Sequence, residues 1–186
     1  LLTSMYFYAY AFLQVPVGIL GDKYGVKIVT TFGMLFMGLG AFLFGIAGSM
    51  LTISLARLLI GIGSACFFIS ILKMIAIWFP PDQFTKYNGW TSVMGNIGAL
   101  LAASPFSLFL EIVNWRASFF IFSGISVILA ILIWRYVYDY PQELGFNLKE
   151  ETKAEKRNFK EILREMKVLA SNLQFWLYFV LLFVMM

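Results

Sequence analysis

A chain of 186 residues that is 61% hydrophobic and 18% aromatic, with 13% charged residues, is too apolar for a water-soluble domain and takes lipid as its solvent. Its 14 Lys and Arg against 10 Asp and Glu do not mark a nucleic-acid binder, because seven of those bases fall together between Lys149 and Lys167. One cysteine, Cys66, makes no disulfide framework, and a chain without histidine has few ligands for zinc, so no cofactor and no metal site are expected.

Crossing the hydrocarbon core takes roughly 20 apolar residues in a helix. Five uncharged stretches of that length follow one another: Leu1 to Leu20, Ile28 to Met50, Leu51 to Trp78, Tyr87 to Leu110 and Trp115 to Tyr138, with Arg57 and Lys73 as the only charges well inside one. A sixth stretch starts near Leu173 and reaches Met186 after about fourteen residues, too few to span. The opening LLTSMYFYAY has neither an initiator Met nor a charged leader region and reads as the middle of a longer chain. Three regions are thus expected: residues 1–138 with five spanning helices, 139–172 as a linker, and 173–186 as the start of a further helix.

Gly21 and Gly25, Gly48 and Ser49, Pro80 and Pro81, and Asn114 punctuate short turns between antiparallel helices. Alternate crossing gathers Lys23, Lys27, Lys86 and the seven bases of 149–167 on one side and leaves Arg116 on the other, so the basic side is expected to be cytoplasmic. Within the linker, Phe159, Ile162, Leu163, Met166 and Leu169 recur at helical spacing opposite Lys160, Glu161, Arg164 and Lys167. That pattern predicts an amphipathic helix lying on the bilayer surface.

Four groups of residues are candidates for function. Gly18, Gly21, Asp22, Lys23, Gly25 and Lys27 share the ten residues GILGDKYGVK, where the glycines permit close approach and a tight turn, and Asp22 can accept backbone hydrogen bonds. The same stretch also reads as a Gly-rich turn with anchoring lysines. Tyr6, Tyr10 and Gln14 form a polar stripe at four-residue intervals and are candidate cavity donors, and Asn96 lies mid-helix, where its amide needs a cross-helix partner or a ligand. Arg57, about seven residues or ~10 Å into its helix, either snorkels to the surface or faces the interior. Lys73 lies ~24 Å further along and roughly 160° around the same helix, so the two bases cannot serve one compact ligand. It either snorkels or attracts anions at the inner vestibule.

The order Gly18, Asp22, Gly25, Lys27 resembles the G-x-x-x-D-x-x-G-x-K signature between the second and third helices of the major facilitator superfamily. Arg57, Gly61 and Gly63 resemble that family's fourth-helix R-x-x-x-G-x-G pattern, Asn114 to Arg116 the entry to its sixth helix, and Tyr140 to Phe146 the Pro-x-x-x-Gly sequence after it. The resemblance implies an all-α integral membrane fold, a fragment of a twelve-helix (6+6) transporter that holds helices two to six and the start of seven. The C-terminal half of the same protein would be its partner. It implies that the Asp22 equivalent steadies one conformation, and that Arg57 and Gly61 support the cavity wall or coupling. Gly89, Gly95, Gly98 and Pro105 do not reproduce the family's drug-antiporter motif.

With no carboxylate deep in any stretch, a titrating acid would come from elsewhere in the protein or from Glu111, and the coupling ion, proton or sodium, stays open. The expected function is alternating-access transport of a small solute in a bacterial inner membrane, with Arg57 and Lys73 pointing to an organic anion. A passive facilitator or channel, or a receptor-like protein of the same fold, is the alternative. An integral membrane enzyme would need a nucleophile–base pair or a metal cluster, which this composition does not offer.

Overall fold

Where a helix can start and stop is written in the turns. A computed structural model describes residues 2–145 apart from 104–105, 107–108 and 111–112, all within one compact unit, Leu1–Lys153. The expected amphipathic helix of the linker, the stretch from residue 173 and Glu111 lie outside the described residues. Five long helices are described: α1 (Leu2–Tyr24), α2 (Val26–Gly45), α3 (Met50–Trp78), α4 (Pro81–Ala103) and α5 (Trp115–Tyr136), followed by a short 3₁₀ turn, Pro141–Leu144. Among the described residues there is no strand.

Gly25 alone separates α1 from α2, at φ +90°, a conformation open to glycine and costly for other residues. The Ser49 hydroxyl accepts from the Thr52 N–H at 3.3 Å and caps α3. The Asn114 side chain does the same for α5, accepting from the Arg116 N–H at 3.0 Å. The helix α4 opens at Pro81, six residues before the expected Tyr87, because proline lacks only an N–H that the first turn would leave unpaired and Asp82 complements the helix dipole there.

Three of the helices, α2, α3 and α5, are long and apolar enough to cross a membrane. At 29 residues α3 is roughly 43 Å long, beyond the ~30 Å hydrocarbon core, so it tilts or projects from the bilayer. Large apolar side chains cover the outside, Phe12 being 79% exposed, with a row of Ile121, Ile125, Ile128 and Ile131 along α5. In lipid such a surface carries no penalty.

Inside, small residues let backbones meet. A Cβ on Gly63 would stand 2.5 Å from the Gly33 carbonyl oxygen of α2, and one on Gly61 would stand 2.7 Å from the Tyr6 carbonyl oxygen of α1. Two positions along a helix turn by about 200°, so α1 and α2 clasp α3 from opposite faces. Val17, Val29, Ala65 and Cys66 fill the space where the three meet, with Tyr10, Leu13 and Ile69 around them. On its other side α2 packs against α5, whereas α4 makes light contact with α3 and has no buried residue.

Gly63→Val places a branched side chain where the α2 backbone now lies. It is expected to lower stability by about 1–3 kcal/mol, read as a lower melting temperature in detergent, while Gly124→Ala, whose new methyl meets open space, melts as wild type.

Candidate functional site

Two places gather the candidate residues. The first is the basic end of the bundle, where α1 passes into α2. The Lys73 ammonium reaches across from α3 and sits 2.6 Å from Asp22 Oδ1, while also donating to the Gly18 carbonyl oxygen. Gly21 leaves room for this crossing, since a Cβ there would stand 3.1 Å from Lys73 Nζ, closer than ordinary contact. The pair is partly shielded, with side chains 22% and 34% exposed, so it is more than a surface contact and less than a buried ion pair.

One residue further on, a second carboxylate serves the same turn. Asp139, just beyond α5, accepts the Lys27 backbone N–H at 2.7 Å and so caps the start of α2 from 112 positions away. Its carboxylate lies against Gly25, leaving no room for a Cβ. The Lys27 ammonium stands over the rings of Trp134 and Tyr138, at 5.4 and 5.7 Å from their centroids, and ties α2 to the end of α5 by a second route. Lys23 is exposed and lies 5.0 Å from the ring centroid of Tyr24.

The second place is a half-open cavity of about 660 Å³ walled by α1, α2, α3 and α4. Tyr6 and Tyr10 enter it from α1 with rings nearly parallel, 6.1 Å apart. Met34 and Met37 come from α2, Ser64, Phe67 and Phe68 from α3, and Asn88, Thr91 and Ser92 from α4. The hydroxyls of Ser64, Thr91 and Ser92 donate to carbonyls of their own helices, which leaves their oxygens as acceptors toward the cavity. The wall thus offers aromatic faces and neutral polar groups.

Of the residues expected to line a cavity, Tyr6 and Tyr10 do so, whereas Gln14 lies further along α1 outside the lining. Gly61 and Gly63 are packing positions. Arg57 does not line this cavity: its guanidinium lies 5.2 Å from the centroid of Phe44, which stacks on Phe119 at 4.2 Å. Its Nε is buried without a hydrogen-bond partner among the described residues. Lys73, expected either to snorkel or to attract anions at the inner vestibule, is paired with Asp22 of the motif. Asn96 is exposed and has no cross-helix hydrogen bond among the described residues, because α4 stands away from its neighbours and its cavity face ends at Gly95. Sequence reasoning missed Asn88, Ser64 and Asp139. Asn88 and Ser64 were findable as polar residues in apolar helices, but no local pattern pairs Asp139 with Gly25.

A bundle of long apolar helices, inside-out in its surface, is a multi-pass membrane protein. The chain belongs to the major facilitator superfamily, whose family model matches residues 1–186. It is 32% identical to the uncharacterized transporter YybO of Bacillus subtilis over 75% of this chain and 32% of that protein. It is 27% identical to the hexuronate transporter of the same organism, over 98% of this chain and 44% of that protein. With the probable sulfoacetate transporter SauU of Cupriavidus necator it shares 25% identity, over 84% and 39% of the two chains. The chain therefore spans less than half the length of these relatives, all of which are named as transporters and not as enzymes.

Asp139→Ala leaves the α2 N-terminus uncapped and is expected to cost about 1 kcal/mol of stability, seen as a lower denaturation midpoint. In a cycle of Asp22→Asn, Lys73→Met and the double variant, thermal melts are expected to show a coupling of about 0.5–1 kcal/mol. Strict additivity would mean that the ion pair contributes nothing.

Proposed function

We propose that this protein is a secondary transporter of the bacterial cytoplasmic membrane that moves a small organic anion by alternating access, as a symporter with a proton or sodium ion. The observation that carries the reading is the half-open cavity whose wall brings Tyr6, Tyr10 and Asn88 within one enclosure of apolar helices. Membership of the superfamily supports it, and the names of the hexuronate and sulfoacetate relatives support an anionic solute. In this reading residues 1–138 are five helices of an N-terminal half, 139–172 a cytoplasmic linker and 173–186 the start of the next helix. The second half completes the cavity.

Within that cycle the two sites have different work. The tyrosines, Asn88 and the hydroxyl oxygens orient the solute, while the Asp22–Lys73 pair and the Asp139 cap hold the basic end in one conformation.

The test uses the full-length protein in proteoliposomes loaded with unlabelled hexuronate or sulfonate, with the labelled solute added outside. Trans-acceleration by the internal solute is expected of a carrier, whereas gradient dissipation without it would establish the passive alternative. Tyr10→Ala and Asn88→Ala are each expected to raise KM roughly tenfold through the loss of a hydrogen bond. Asp22→Asn is expected to slow exchange while solute binding, measured by calorimetry, stays near wild type. Loss of binding instead would place Asp22 in the solute site.

A further inference from the structure

A second hollow of about 490 Å³ runs along the outside of the bundle between α1 and α2, floored by Ile62 and Cys66 of α3. It exists because α1 and α2 each pack more closely on α3 than on one another. Its walls are Leu13, Pro16, Leu20 and Tyr24 on one side and Ile28, Phe32 and Phe36 on the other, with no polar surface exposed in it. Pro16, Leu20, Phe32 and Phe36 are all exposed, so the hollow opens outward. On α1, Pro16 and Leu20 sit about 200° around the helix from Gly18 and Asp22, so this face is separate from the one that meets Lys73.

Among the described residues, charge stands at one end of the hollow. Tyr24 closes the hollow at the basic end of the bundle, and the exposed Lys23 ammonium stands 5.0 Å from the centroid of that same ring. An apolar trough along the membrane-crossing direction, with a cation and a phenol at its mouth, matches an amphiphile with one hydrocarbon tail to lay down and one negative charge to place at the interface. We propose that this groove seats an anionic phospholipid, one acyl chain lying between α1 and α2 against Leu20 and Phe32, and its phosphate at Lys23 and the Tyr24 hydroxyl.

The groove and the cation make separable demands, which gives the test its arms. The full-length protein, purified in detergent, is mixed with equal amounts of phosphatidylglycerol and phosphatidylcholine, and retained lipid is counted by native mass spectrometry. Wild type is expected to keep phosphatidylglycerol in preference to phosphatidylcholine. Lys23→Gln should lower that preference about fivefold, the scale of one basic residue at an anionic surface, with Lys23→Arg restoring it. Leu20→Trp, which fills the groove without touching charge, should lower retention of phosphatidylglycerol with Lys23 intact. Circular dichroism and gel filtration confirm that each variant is folded. A fall with Lys23→Gln but none with Leu20→Trp overturns the proposal in favour of a surface ion contact. No preference in wild type overturns it as well.

Discussion

The approach of two backbones onto α3 at adjacent small residues is the constraint on which the described bundle rests. In lipid no hydrophobic force draws apolar helices together, so close packing and dipolar contact must do it. Gly61 admits α1 on one face and Gly33 with Gly63 admits α2 on the other, and the offset of two residues sets those faces almost opposite. With both flanking helices fixed in this way, the third side of α3 is left facing α4 across the cavity, and the divergence of α1 from α2 opens the apolar groove on the outer side. Both hollows are consequences of the same two contacts.

At the basic end, two charges that composition alone would count toward a positive patch are each engaged. Lys73 is neutralised by Asp22, Lys27 rests on two aromatic rings, and its backbone N–H is answered by Asp139. The result ties α1 to α3 and α2 to the segment after α5 through a turn of one residue. Gly25 is needed twice over in this arrangement, for its positive φ and for the space the Asp139 carboxylate takes.

What the sequence made legible was whatever depends on near neighbours. Helix positions followed from runs of apolar residues, and turns from Gly25, Ser49, Pro81 and Asn114. The motif at Gly18 to Lys27 stood out because its residues lie within ten positions. Partnerships across the bundle were another matter. Lys73 and Asp22 are 51 positions apart and Lys27 and Asp139 are 112 apart, and helical periodicity assigns a residue to a face without naming the helix opposite. Asn96 shows the same limit from the other side: depth in a helix suggested a buried amide, but burial depends on how closely α4 approaches its neighbours, which its own residues do not specify.

An anionic solute meets no counter-charge among the described residues of the cavity wall. Depth in the membrane made Arg57 and Lys73 the natural counter-charges, yet Lys73 is held by a carboxylate and Arg57 lies on Phe44 outside the cavity lining. Among the described lining residues none is cationic, so under the proposed function this wall meets the solute through hydrogen bonds and ring faces. Such groups suit the hydroxyls and the carbon skeleton of a sugar acid better than its charge, because a carboxylate gains more from a cation than from a neutral donor. Under the proposed function the labour is therefore divided. This half of the cavity selects the body of the solute, and the affinity for its negative charge is supplied by residues beyond the described wall.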